Sequence, residues 1–340
     1  MTPIANRERS PHPGTPWNFR AASLDELYTV WKASAGSLEW RCLFTLPPWL
    51  SSWWKFFGKG DGLRLLLVEG PDGPTGFAPL RIRGDTAMFA GSPDVCDYLD
   101  IVTAPDTADG FARALFAHLR NTGIRELVFN SVRKDAVVWT DLMPIARTAG
   151  WDVSCEQEGI SFEIDLPHTW EAYLSQLNGK QRHELRRKLR RLHEAGDIQF
   201  RLIDSADDMA DAFDVFIDLF KSGHTEKAAF MTDPMSGFFR ALGAAFTEER
   251  MFKLGMLSLN GTAVSATMCF DYRSTRYLYN SGYAPDCKSL SVGLLCKVLS
   301  IQNAIAGGLS CYDLLKGEEI YKQRLGGKPR AIYRCRIKLP

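Results

Sequence analysis

The sequence predicts a mixed α/β (α+β) protein, on the strength of two hairpin signatures and the order of elements that follows each. Residues 251–270 hold two runs rich in β-formers around Asn260-Gly261, the strongest short-range signal of a hairpin. Residues 63–82 repeat the arrangement around Pro71-Asp72-Gly73. Both hairpins are followed by strands, a helix and a further strand, an echo without residue-level repetition. At 340 residues and 45% hydrophobic content, the chain has material for two or three domains with well-formed cores.

In chain order, residues 1–16 carry Arg7, Glu8, Arg9 and four prolines but no apolar run. They read as a disordered N-terminus, not as a signal peptide. Residues 24–35 have helical spacing. Residues 46–57 crowd Pro47, Pro48, Trp49, Trp53, Trp54 and Phe57 together, an aromatic knot whose ordinary use is core packing. Strands are predicted at 63–68, 76–82, 86–90, 98–102 and 126–130, with helices at 111–121 and 137–149. The second helix ends at Gly150, where glycine suits a left-handed cap.

An alternating strand at 160–166 leads into one long helix, 170–195, the most charged in the chain. From Lys180 to Arg191 seven residues are Lys or Arg, while Leu185, Leu189 and Leu192 form a narrow apolar stripe. The wide basic face suits either plain solvation or an anionic partner, such as phosphates, lipid head groups or RNA. A strand at 198–203 and a helix at 207–222 follow. The helix turns Phe213, Phe216, Ile217 and Phe220 to the core, and the polar loop after it carries His224. After the 251–270 hairpin come a strand at 275–283, an apolar helix from about 290 to Gly307-Gly308, and a strand at 311–315.

Composition excludes several classes. A net charge of +1 gives no global attraction to nucleic acid or anionic membrane. Eight cysteines without a C-x-x-C pair indicate neither a zinc site nor a disulfide framework, and fit small buried side chains in a reducing cytosol. The six histidines show no metal-ligand spacing, so no metal is expected. No window is apolar and long enough to span a bilayer.

One turn carries chemistry. Ser291, Val292 and Gly293 sit where a helix begins, so unpaired N–H groups and the positive dipole end face any phosphate placed there. Gly293 has no Cβ and lets the backbone approach closely. The plain alternative is an ordinary turn. The corresponding helix start in the first half, Thr107-Ala108-Asp109-Gly110, is acidic and would repel an anion, so only the second half should hold one.

The order of hairpin, strand, small-residue turn, helix and strand resembles the acyl-CoA half of a GNAT acyltransferase. More narrowly, Gly282-Tyr283, Ser291-Val292-Gly293 and Gly317-Glu318-Glu319-Ile320-Tyr321-Lys322 resemble the CelD/BcsL-type acetyltransferases, relatives of the FemAB aminoacyltransferases. Those proteins usually read Ser-Pro-Gly and Gly-x-Glu-x-Tyr-Lys. Here Val292 replaces the proline and the second motif has an extra acidic residue. The resemblance implies two tandem GNAT-like domains, 17–165 and 166–340, each a mixed central sheet flanked by helices. Acyl-CoA would be a co-substrate of the second domain, with no tightly bound cofactor.

The resemblance also assigns roles. Ser291, Val292, Gly293 and Leu294 would hold the CoA pyrophosphate. Tyr321 would protonate the departing thiolate, Glu318 or Glu319 would relay the amine proton, and His224 would line the site. Asp313, Lys316, Lys322 and Arg186 are candidate substrate contacts, as are Asp97 and Tyr98 of an Asp-Tyr-x-Asp pattern. Each has a plainer alternative: a core tyrosine, solvated turn glutamates, a surface histidine, a strand-entry turn at 97–100. The implied function is acyl transfer in the cytoplasm to an amine or hydroxyl of a polysaccharide, a lipid such as a sphingoid base, or a small precursor. The basic helix at 180–191 is a candidate contact with the anionic inner membrane, and nucleic acid is not an expected partner. The rivals are FemAB-like aminoacyl transfer from tRNA and a catalytically silent scaffold in an envelope-synthesis complex.

Overall fold

The computed structural model describes residues 17–34, 36–58, 62–70, 73–223 and 225–340. The 1–16 segment, Pro71-Asp72 of the first hairpin turn and His224 lie outside the described residues. In chain order the elements are β1 Asn18–Ala21, α1 Leu24–Ala33, α2 Pro47–Phe57, β2 Gly62–Gly70, β3 Gly73–Arg83, β4 Thr86–Phe89, β5 Val102–Thr103, α3 Ala108–Asn121, β6 Glu126–Val132, α4 Met143–Thr148 and β7 Val153–Asp165. There follow α5 Trp170–Gln176, α6 Gly179–Glu194, β8 Ile198–Ile203, α7 Ala206–Ser222, α8 Thr225–Phe230, α9 Asp233–Glu248, β9 Phe252–Leu259, β10 Thr262–Tyr272 and β11 Thr275–Tyr283. The chain ends with α10 Val292–Ala306, β12 Cys311–Lys316, α11 Ile320–Arg324 and β13 Lys328–Lys338.

The chain divides into two compact units, Met1–Glu158 with Ile332–Pro340, and Gly159–Ala331. The division therefore falls at 158/159, not 165/166, and residues 332–340 return to the first unit. In the first unit the strands run β1-β2-β3-β4-β6-β13, with β5 beside β3. The aromatic knot is core: Trp49 is fully buried and its ring meets Phe44 edge-on at 4.6 Å. The strand expected at 98–102 shrinks to the two residues of β5. Asp100 turns inward instead, and its carboxylate accepts the N–H groups of Val137 and Val138 at 3.0 and 3.4 Å. The helix expected at 137–149 opens as a π-turn over Val138–Leu142. Pro144 has no N–H to complete the ordinary i→i−4 ladder there.

The second unit orders its strands β7-β12-β11-β10-β9-β8, with β11 and β12 parallel through α10. The Asn-Gly signal is a true hairpin: Asn260 and Gly261 have φ of 51° and 80°, both positive as a type I′ turn requires. The single helix expected at 170–195 is two, because Leu177 is extended and Asn178 restarts the helix. Asn178 and Gln181 exchange reciprocal hydrogen bonds of 2.9 Å, a capping box. Helix α9, absent from the expected elements, packs against β9 and α7. Its start is set by Thr232, whose hydroxyl accepts the Met235 N–H at 3.4 Å.

Helices α7 and α10 cover opposite faces of this sheet. A Cβ on Gly282 would lie 2.4 Å from the α7 backbone at Leu219 and Phe220, so only glycine allows that approach. The next residue along the strand points the other way, and Tyr283 meets Gly293 of α10. Arg276 is buried at 3% exposure beneath α10, paired with Asp271 at 2.7 Å and bonded to Ser300 O and Asn303 Oδ1. Such a buried cation is tolerable only because its donors are this fully used.

Candidate active site

Strands β11 and β12 pair at Thr275 with Cys311, Arg276 with Tyr312 and Tyr277 with Asp313, and then part. Beyond that point Leu278–Tyr283 and Leu314–Lys316 have no partner across the opening. A bulge at 313–316 drives the separation, with Leu315 at a φ of 60°. Asp313 fastens the bulge: it is 1% exposed and its carboxylate accepts the Leu315 N–H at 2.8 Å. Enclosed in this way, Asp313 shapes the bulge and does not present a surface to a substrate.

Lys322 fastens the same bulge from above. Its ammonium donates to Leu315 O at 3.0 Å and Lys316 O at 2.7 Å and lies 3.1 Å from Glu319 Oε2. All three donors are spent and the side chain is 2% exposed. Of the motif's residues, Glu319 and Lys322 are joined by that ion pair and Tyr321 lies beside them, while Glu318 and Glu319 are both exposed. Lys316 lies next to Gly159, where an added Cβ would sit 3.0 Å from its Cε.

Tyr321 is half-buried at the mouth of the opening. Burial, and then the charge of Glu319, push its phenol above the ordinary tyrosine range. Neighbouring contacts hold α11 in place: Gln181 donates to Gln323 O at 3.0 Å, and the Tyr173 hydroxyl to Leu325 O at 2.9 Å.

The small-residue turn expected to meet a phosphate has a defined geometry. Ser291 adopts φ 58°, ψ 32°, and α10 starts from it. Its own N–H goes to Lys288 O, and the Leu294 N–H goes back to Ser291 O, each at 3.0 Å. Leu294 therefore has no donor to spare. Among the described residues the N–H groups of Val292 and Gly293 have no backbone acceptor. Val292 is fully buried, whereas Gly293 is partly exposed. Lys188 of α6 reaches the turn, donating to Ser291 Oγ at 2.7 Å. Arg186, expected as the contact, is exposed two residues away.

Two further cations went unread in the sequence. Lys297 is 7% exposed in the first turns of α10, donates to Gly293 O at 2.9 Å, and lies 4.9 Å above the Tyr321 ring. Burial pulls its ammonium down to about 8. It is the lone charge in an otherwise uncharged helix, and that was the available signal. Lys227 of α8 donates to Ser281 O, on the unpaired part of β11, at 2.5 Å and stacks on Phe220 at 4.8 Å. Burial lowers it too, partly offset by Glu319. Asp97 and Tyr98 belong to the first unit, where Tyr98 is buried against Phe44 and under Arg133. No group of three or more metal-ligating side chains exists among the described residues. None of their helices is long and apolar enough to cross a membrane.

Residues 179–323 match the family described as an acetyltransferase (GNAT) domain. The second unit has a GNAT-like acyltransferase fold. The whole chain is similar in structure to FemX, at 12% identity, a TM-score of 0.61, and coverage of 94% of this chain and 96% of that one. A conserved protein of unknown function from Bacteroides thetaiotaomicron aligns at 12% identity and a TM-score of 0.62, over 95% of this chain and 99% of that chain. L-PGS from Bacillus licheniformis aligns at 11% identity and a TM-score of 0.53, over 84% and 90%. At these identities the likeness is one of fold. No curated protein sequence matches the chain.

Proposed function

We propose that this protein transfers an acyl group from acyl-CoA to an amine or hydroxyl, with the second unit as the catalytic domain. The observation that carries the reading is the parted β11/β12 pair with an anion seat at the start of the helix that connects them. Val292 and Gly293 N–H groups, the α10 dipole and Lys188 would hold the pyrophosphate. The unpaired edge of β11 offers N–H and C=O groups to the amide-bearing arm of CoA, as one strand does to another. The thioester then lies near Tyr321, which keeps its proton at neutral pH and donates it as the carbon–sulfur bond breaks. Glu319 is the carboxylate nearest to take up the proton of the attacking amine, directly or through water. The CelD/BcsL type, an envelope-related acceptor and a position at the inner face of the membrane belong to the same proposal.

Calorimetric titration with acetyl-CoA and with a long-chain acyl-CoA tests it. Saturable one-to-one binding of either supports the reading; binding of neither overturns it. A second reading is favoured by the FemX-like fold together with the basic face of α6: aminoacyl transfer from tRNA. Its mark is RNA binding that falls steeply with salt, in a protein that ignores acyl-CoA.

A further inference from the structure

Lys227 and Lys297 raise a question that acyl transfer alone does not answer. Neither ammonium has an ion-pair partner among the described residues, and each spends one donor on a backbone carbonyl, Ser281 O or Gly293 O. An ammonium has three N–H donors, so each keeps two in reserve. Lys297 is buried and Lys227 half-buried, and an unpaired cation held out of water is retained where something compensates its charge. Glu319, ion-paired with Lys322 at 3.1 Å, offsets the two other charges only in part and pairs with neither. The charge of Lys227 lowers the proton affinity of Lys297, and both ammoniums feel the field of Glu319.

Their carbonyl partners have a defined place. Ser281 is on the edge of β11 that β12 has left, and Gly293 is in the first turn of α10. Lys297 overhangs Tyr321. The lysines therefore border the opening where acyl transfer is proposed, while Lys188 is bonded to Ser291 at the turn. Two positive charges without ion-pair partners, with four spare donors, match a group carrying two negative charges and several acceptor oxygens.

We propose that Lys227 and Lys297 form a subsite for a phosphate monoester carried by the acceptor. This rests on the acyl-transfer reading for the ligand's role as acceptor, and the anion site itself is testable without it. The acceptor is then a phosphorylated amine or alcohol, held by its phosphate with its nucleophile toward Tyr321.

The test is thermal unfolding of the full chain, titrated with inorganic phosphate, methyl phosphate or acetate against chloride at equal ionic strength and neutral pH. In the wild type, phosphate and methyl phosphate should raise Tm by about 3 °C at ten times their Kd. The rise should persist in Lys188→Ala and fall by more than half in both Lys297→Met and Lys227→Met, any remainder belonging to the turn at Ser291, and both methionine variants should keep the shift given by acetyl-CoA. Four results overturn the proposal. One is a wild type that responds to phosphate no more than to chloride, and another is a full phosphate response in both methionine variants. A third is a response to acetate equal to that to phosphate, which makes the group a carboxylate. The fourth is loss of the acetyl-CoA shift in the methionine variants, which gives the lysines to the donor. If acetyl-CoA shifts nothing while the phosphate response follows the lysines, the donor reading fails and the subsite stands.

Discussion

The two units solve the same topological problem with opposite charges. In the first, parallel strands β4 and β6 are joined through α3; in the second, β11 and β12 are joined through α10. At the start of α3 stands Asp109, paired with Arg113 at 2.8 Å, and Thr107 makes no side-chain cap. At the start of α10 stands Ser291, with Lys188 bonded to it. Deeper in, the first unit buries carboxylates: Asp100, pushed up to about 7 by burial, and Glu158, which accepts the Ser131 N–H at 2.8 Å. The second unit buries the ammoniums of Lys297 and Lys322. A shared chain path therefore does not make a shared site. On the acyl-transfer proposal, the sign of the charge at the helix start is what would let the second unit and not the first receive an anion.

The sharpest way to break that comparison is to put the first unit's charge into the second. Gly293→Asp places a carboxylate in the anion seat. At about 4 Å and an effective dielectric of ~20, two like charges repel by about 4 kcal/mol, so CoA affinity should fall roughly 10²–10³-fold. The new Cβ would also meet the Tyr283 ring at 3.1 Å, so near-ultraviolet circular dichroism is needed to confirm the fold. Asp109→Ala, at the matching place in the first unit, should leave the affinity unchanged. Equal affinity in a folded Gly293→Asp protein removes the turn from the donor site.

Tyr321→Phe comes next. The ring stays to meet Lys297, and only the proton donor goes. A phenol held above its ordinary range is a weak acid and a thiolate leaves readily, so the loss belongs at the low end for general-acid help, on the order of 10² in kcat with little change in KM. Release of free CoA under saturating acyl-CoA measures it, and a full kcat returns Tyr321 to the core.

How much of this was legible depended on whether the information was local. Asn260-Gly261 dictates its turn within two residues, and Ser291-Val292-Gly293 announced a helix start that the structure contains. The parting of β11 from β12 was not legible, because it is a matter of register between residues 277 and 313, remote in sequence. Lys188 against Arg186 was a misreading of available data. Lys188 lies three residues after Leu185 and four before Leu192, the two buried residues of α6, so the stripe itself turned Lys188 inward. Helix spacing runs on through 170–195, and the break lies in two residues, Asn178 and Gln181, whose side chains form a capping box. The motif marks Asp313 and Lys322 as contacts, yet the Asp313 carboxylate accepts from Leu315 and the Lys322 ammonium donates to Leu315 O and Lys316 O.

A third experiment reads the buried ammonium directly. Lys297 releases its proton near 8 in the fold and near its ordinary 10.5 in the unfolded chain. Between those values the unfolded state holds more protons, so stability rises with pH and is lost as pH falls back through about 8. The wild type should gain roughly 3 kcal/mol across that window relative to Lys297→Met. Urea unfolding of both proteins at several pH values gives the difference, and parallel pH profiles would show that Lys297 titrates normally.

The smallest expected effect concerns the outer face of α6. Arg187 pairs with Glu184 at 2.9 Å, Arg190 lies 3.6 Å from Glu194, and Arg186 is exposed. Glu184 also lies 3.4 Å from Lys188, so Arg187 and Lys188 share one carboxylate. Exposed pairs of this kind contribute about 0–1 kcal/mol to folding, so replacing the three arginines by glutamine should leave Tm nearly unchanged. Across a Debye length of about 8 Å at physiological salt, their pull on a phosphate at Ser291 is mostly screened, and acyl-CoA affinity should fall by no more than a few fold. The same substitutions should matter more for a polyanion, because a membrane or an RNA would meet the whole face at once. Binding to vesicles rich in anionic lipid, measured by co-sedimentation at low and moderate salt, separates the cases. A triple variant that still sediments like the wild type would make this face a solvated one, and the charge contrast between the units would then reside in Lys188 at the turn and in Lys227 and Lys297 beside the opening.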